Sequence, residues 1–288
     1  MIAQTPPNGL VESADGTPIA WWETERPDAA GVLDPATPAV VLVHGATADH
    51  TAFRAVAPRL AQHRRVISID RRGRGASGDR PPYAIEREYE DVAAVVDWLA
   101  AATAWPVDVL GHSFGGRCGL GAALLTDHLR RLVVYEGAPA PHGQAFQDPD
   151  LLARLDALAA RGDLDGVMAT FMGEVVGLSP PEVEAYRAAA TWPVRAAAAP
   201  TAIRELRAEA GRDAAAEHFA EIRIPVLQLV GGASPAIFTA GTRELDALLP
   251  DGRLISLTGQ KHAAHHTSPV IFVAVVEGFL AERDTIAP

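Results

Sequence analysis

The sequence predicts an α/β fold, a mostly parallel sheet with helices on both faces and a helical insertion ahead of the last strands. Three observations predict it. Short β-branched runs at 39–43, 66–69, 107–110 and 132–135 alternate with helical stretches, and parallel neighbours need such crossover helices. The run at 39–43, AVVLV, is apolar without a break, as expected of a strand covered on both faces. Residues 148–211 then show only helical patterns before strands resume.

Taken in order, residues 10–23 alternate around Asp15-Gly16 and predict a hairpin, with Trp21 and Trp22 as structural residues. A proline-rich connection over 26–38 leads into the first buried strand, and His44-Gly45-Ala46 follows that strand directly. A helix is expected near 52–62, a strand at 66–69, a turn rich in glycine and charge from Asp70 to Gly78, and a long helix over 86–101. The next strand runs into Gly111-His112-Ser113-Phe114-Gly115 and a small-residue helix. A serine at the apex of so sharp a turn needs a strained, positive-φ backbone and neighbours without bulk. The pattern is G-x-S-x-G, in which the serine is exposed as a nucleophile and the following residue offers its N–H to an oxyanion.

The strand at 132–135 ends at Glu136, and Pro139 and Pro141 break the chain there. Four helical patterns follow, at 151–162, 164–177, 181–190 and 195–211. They divide the chain into a core, 1–140 and 212–288, and a helical cap, 141–211, over the carboxyl edge of the sheet. Strands resume at 226–230 and 253–257, and the last helix is expected over 269–282.

Composition narrows the function. A formal charge of −11 argues against nucleic acid or an anionic membrane as partner. No apolar run approaches the length of a spanning helix, and the N-terminal residues lack the basic and apolar regions of a secretion signal. The single cysteine, Cys118, forbids an internal disulfide and reads as core. A soluble cytoplasmic protein without metal or cofactor is expected, monomeric or homo-oligomeric, acting on a small molecule. Lys261 is the sole lysine, which leaves no Walker-type phosphate loop.

Four motifs in this order resemble the α/β-hydrolase superfamily over essentially the whole chain. They are His44-Gly45-Ala46, the Asp70 to Gly78 turn, the Gly111 to Gly115 elbow, and His262 ahead of Pro269 and a C-terminal helix. The resemblance implies an eight-stranded sheet, Ser113 as nucleophile and His262 as base. His265 and His266 lie closer to the last helix than the superfamily's base and are expected to be rim residues. The implied oxyanion donors are the backbone N–H groups of Ala46 and Phe114. Most members carry an aspartate after the strand at 226–230, but here the turn reads Gly231-Gly232-Ala233-Ser234-Pro235. Glu136 is the expected substitute, placed as in haloalkane dehalogenases and zearalenone-type lactonases.

The chain also resembles zearalenone-type lactonases in that acid position, in the turn at 230–235, and in the cap stretch Trp192-Pro193-Val194 with Pro200 following. Arg195 stands where those lactonases carry a substrate-contacting tryptophan, which points away from zearalenone itself. Phe146, Met168, Phe171, Met172, Trp192, Arg195 and Phe238 are the candidate substrate contacts, and an apolar, neutral ester is the expected substrate. Three readings follow: a serine hydrolase of esters or lactones, a carbon–carbon hydrolase or thioesterase on the same fold, and a non-catalytic ligand receptor.

Overall fold

A computed structural model describes residues 5–26, 33–146, 150–209 and 215–282. Strands β1 (Gly9–Glu12) and β2 (Pro18–Glu23) form the hairpin, with Gly16 at positive φ in the turn. They join β3 (Val40–Val43), β4 (Val66–Ile69), β5 (Val107–His112), β6 (Leu129–Tyr135), β7 (Val226–Gly231) and β8 (Gly252–Leu257). The sheet has eight strands in the order β1-β2-β4-β3-β5-β6-β7-β8, antiparallel across the first two pairings and parallel thereafter.

Helices α1 (Ala57–Leu60), α2 (Ile85–Thr103) and α3 (Phe114–Ala122) connect the first parallel strands. Strand periodicity then explains the two cores. Val41, Val43, Ile67 and Ile69 point to one face, where they pack with residues of α2 and α3. Val40, Leu42, Val66 and Leu110 point to the other, with Leu60 and the C-terminal helix residues Phe272 and Val276.

Between β6 and β7 lie α4 (Leu151–Ala160), α5 (Leu164–Thr170), a π-helical turn (Phe171–Val175), α6 (Pro180–Arg187), α7 (Trp192–Ala197) and α8 (Ala199–Ala208). They bury a core of their own, in which Leu151, Leu155, Met168 and Ile203 meet. The run expected as one helix over 195–211 is split at Ala198 because Pro200, without an N–H, fits only in the first turn of a new helix. Residues 210–211 of that pattern, 148–149 at the start of the insertion, and 27–32 of the proline-rich connection fall outside the described residues.

The helix expected near 52–62 is two short turns, His50–Phe53 capped by the Asp49 side chain and α1 opened by Pro58. A helix unanticipated from the sequence, α9 (Ala236–Leu248), supplies the crossover between β7 and β8. It is followed by α10 (Ala264–Thr267) and α11 (Pro269–Leu280). Among the described residues no helix is long and apolar enough to cross a membrane. From β3 the chain moves to β4 on one side and returns to β5 on the other, so a crevice opens at the carboxyl ends of β3 and β5, where ligands of such sheets bind.

Candidate active site

Ser113 stands between β5 and α3 with φ +54 and ψ −127, a conformation that costs a non-glycine residue about 1–3 kcal/mol. The neighbours over-determine it. A Cβ on Gly115 would lie 2.3 Å from the Val43 carbonyl oxygen, and one on Gly111 2.4 Å from that of Gly115. Only glycine lets α3 pack this closely on β3 and β5. The Ser113 N–H donates to the Tyr135 carbonyl at 2.8 Å, which ties the elbow to β6.

The residue after β6 is the second non-glycine at positive φ in this crevice, Glu136 at +48. The bend sends its carboxylate across the end of β7. Oε1 accepts from the Gly231 N–H at 2.6 Å, and Oε2 lies 2.5 Å from His262 Nδ1. The Glu136 side chain is fully buried, and a buried carboxylate needs such partners. With Nδ1–H donating to Glu136, the His262 Nε2 carries the lone pair, the tautomer a general base requires. The β7 turn itself offers no carboxylate, and its glycine N–H serves instead to anchor one from β6.

The loop after β3 is held by several contacts. His44 donates from Nδ1 to the Gly45 carbonyl at 2.8 Å, while its Nε2 accepts from the Arg71 N–H at 3.1 Å. Both nitrogens are thereby used by a neutral ring, and burial pushes the pKa well down. The Arg74 guanidinium donates to the Ala46 carbonyl, and Arg195 Nη1 donates to the Thr47 carbonyl at 3.2 Å. The His44 contact holds the Gly45–Ala46 peptide, and the two arginines hold the two peptides that follow it.

Ser113, Glu136, His262, Ala46 and Phe114 all line one narrow cavity of about 40 Å³. Of the proposed substrate contacts, Phe146, Phe171 and Phe238 line it too, and Phe238 packs 5.1 Å from the His262 ring. Met168, Met172, Trp192 and Arg195 do not. Met168 and Met172 are buried in the core of the insertion, as is Trp192, whose Nε1–H is spent on Asp165 at 2.6 Å. Arg195 is committed to Thr47. An apolar helical stripe faces the insertion's own core as readily as a cleft, and sequence spacing does not distinguish the two.

The sequence missed a polar part of the same cavity. Arg117 from α3 lines it, together with Glu205 of α8 and Glu209 just beyond. Ala202, Glu205, Leu206 and Glu209 recur at helical spacing on one face of α8, and that periodicity was the available signal.

Around His262 the rings of His112 and His265 are 4.3 Å apart, and those of His265 and His266 4.2 Å. Among the described residues no three histidine, cysteine or acidic side chains form a group able to hold a metal ion. His112 donates from Nε2 to the His262 carbonyl at 2.9 Å, and Tyr135 donates to the Lys261 carbonyl while accepting from the Ala264 N–H at 2.9 Å. The segment carrying His262 is thus tied at three carbonyl or amide groups.

His265 is buried, and burial with neighbouring His266 and His262 pushes its pKa well down. Between its unfolded value near 6.5 and its lower folded value, only the unfolded chain takes up the proton. Stability from this group is therefore full above pH 6.5 and falls on acidification. His265→Phe is expected to remove that part of the fall, measured by urea unfolding at pH 7 and pH 5. Asp91 and Asp108, pushed up to about 6 by burial, act in the opposite sense but are common to both proteins. A variant that loses as much stability as wild type over this range would disprove the assignment.

Comparison with known proteins agrees with this fold. The sequence pattern of the "Alpha/beta hydrolase family" matches residues 40–275. An alpha/beta hydrolase from Sphaerobacter thermophilus is 37% identical, superposes with a TM-score of 0.77, and covers 94% of this chain and 99% of its own. A 2-(acetamidomethylene)succinate hydrolase from Mesorhizobium japonicum is 25% identical over 257 residues, 84% of this chain and 88% of that protein. An sn-1-specific diacylglycerol lipase from Mus musculus is 25% identical over 285 residues, 86% and 82% of the two chains. The elbow, the sheet order and the matched length lead to one conclusion: this chain belongs to the alpha/beta hydrolase family.

Proposed function

We propose that the protein is a serine hydrolase of carboxylic esters or lactones, working through an acyl-enzyme on Ser113. The observation that carries this reading is the 2.5 Å contact between His262 Nδ1 and Glu136 in the cavity that Ser113 lines. Ser113 Oγ attacks the substrate carbonyl carbon while His262 Nε2 takes its proton, and Glu136 stabilises the imidazolium that forms. Negative charge on the former carbonyl oxygen meets the N–H groups of Ala46 and Phe114, each worth about 3 kcal/mol of barrier. Collapse breaks the acyl–oxygen bond, and His262 returns the proton to the leaving alkoxide. For a lactone that alcohol stays attached to the acyl chain. Water, deprotonated by His262, then releases the carboxylic acid and free Ser113.

The two curated relatives support hydrolysis in different ways, since their names describe cleavage of a substituted succinate and of a diacylglycerol. The cavity volume supports a helical cap that must shift to admit substrate, because about 40 Å³ holds only a few waters. The relevant test is labelling by a fluorophosphonate probe, expected at Ser113 and absent in Ser113→Ala. It is paired with rates on a p-nitrophenyl ester, an acyl thioester and a ring-cleavage diketone. A faster diketone or thioester reaction would replace the ester reading, and a folded protein inert to probe and all three substrates would favour a ligand receptor.

A further inference from the structure

The polar part of the cavity is built from buried charges that the acyl-transfer steps do not use. Glu205 is only 1% exposed and lines the cavity. Its Oε1 accepts from Arg71 at 2.9 Å and from Arg74 at 2.8 Å, whereas its Oε2 has no hydrogen-bond partner among the described residues. An unpaired buried acceptor costs about 1–3 kcal/mol, and carboxylate oxygens each have room for two donors. Arg71 Nε and Nη1 and Arg74 Nη1 likewise lack hydrogen-bond partners among the described residues, but of these three side chains only Glu205 lines the cavity that Ser113 also lines.

Charge balance decides what that oxygen suits. Arg71, Arg74 and Arg117 face Glu88, Glu205 and Glu209, with Arg117 Nη1 3.5 Å from Glu209. Three positive groups meet three negative ones. A cationic or anionic ligand would add an uncompensated charge where water is scarce, and that is costly. A hydroxyl adds none. It can donate to the ionised Glu205, whose charge the two arginines balance. Phe146, Phe171, Val175, Val176 and Phe238 supply the apolar remainder of the lining.

We infer that Glu205 is a specificity-determining residue, and that the substrate is an uncharged, largely apolar ester or lactone bearing a hydroxyl group that bonds to Glu205 Oε2. The inference rests on the serine hydrolase reading above. Sites built to bond a substrate hydroxyl discriminate strongly against analogues lacking it, because their own polar groups are then left unpaired.

The experiment compares kcat/KM for p-nitrophenyl arylalkanoates that carry a phenolic or alkyl hydroxyl at graded distances from the ester. Their deoxy parents, and analogues with an ammonium or carboxylate in place of the hydroxyl, complete the series. At least one hydroxylated member is expected to exceed its parent by about tenfold or more, with the charged analogues below both. In Glu205→Met, of similar length but without acceptors, that ratio is expected to fall below about threefold. Should the variant fail to fold, the wild-type ratio stands as the test, together with the inhibition constants of the matching hydroxylated and deoxy acids. No preference at any distance, a preference for a charged analogue, or a ratio unchanged in folded Glu205→Met would overturn the inference while the serine hydrolase reading stands. A wild-type protein inert to every ester and to the fluorophosphonate probe would overturn both.

Discussion

Ser113→Ala is expected to lower kcat/KM on a p-nitrophenyl ester by about six orders of magnitude, and Glu136→Gln by about four. The difference follows from what each side chain contributes. In the proposed mechanism Ser113 forms the covalent bond, so without it only the proposed oxyanion donors and substrate binding remain. Glu136 would set the tautomer of His262. Its Oε2 meets His262 Nδ1 at 2.5 Å and its Oε1 is held by the Gly231 N–H at 2.6 Å. In the glutamine variant the acceptor oxygen is drawn to Gly231 and the amide NH₂ faces Nδ1. That inverts the imidazole, so that Nε2 carries a proton toward Ser113 and cannot accept one. Glu136→Asp is expected to be nearly as poor, because a side chain shorter by one methylene cannot reach Gly231 and His262 together. Circular dichroism would show whether each variant is folded. If Ser113→Ala is inactive while Glu136→Gln stays within tenfold of wild type, Glu136 is not the acid.

Much of this arrangement can be read in the chain because it is carried by backbone chemistry. Gly111 and Gly115 are required where α3 crosses β3 and β5, and an unbroken AVVLV run has both faces to bury. Glu136 was read as the candidate acid from the resemblance to families that place it after β6, since the turn after β7 holds no carboxylate, and the structure sets it against His262. What was not legible depends on which way a helix rolls once it is packed. Trp192 and Phe171 belong to the same apolar pattern, yet Trp192 turns to Asp165 and Phe171 to the cavity. Arg195 was expected at the substrate and instead binds Thr47, because its position in α7 lies over the loop after β3. Charged residues mislead in the same way. Composition counts Arg71, Arg74, Glu88 and Glu205 as surface groups, but all four are at most 3% exposed. Their burial depends on partners far apart in sequence, and no local pattern reports it.

Arg71→Met is expected to destabilise the fold by about 3–5 kcal/mol, the usual cost of removing one partner from a buried ion pair. Arg71 Nη1 lies 3.1 Å from Glu88 Oε1 and its Nη2 2.9 Å from Glu205 Oε1, with both carboxylates buried. Glu205 would keep Arg74, but Glu88 would be left with the Tyr83 hydroxyl at 3.2 Å and the Cys118 thiol. The loss is therefore mainly a stranded Glu88 charge, and Arg71→Met/Glu88→Gln is expected to recover at least half of it. The exposed pair Arg65–Glu23 has similar distances but both side chains are about one-third open to water, so Arg65→Met should cost no more than about 1 kcal/mol. Urea unfolding of the four proteins at pH 7 measures this. An Arg71→Met variant within 1 kcal/mol of wild type would mean that the network contributes little to folding. The Arg71 guanidinium also sits 4.8 Å over the Phe114 ring, and its backbone N–H holds His44. A folded Arg71→Met protein keeps that N–H but loses the contact over Phe114, so ester hydrolysis is expected to fall through the proposed oxyanion donor of Phe114.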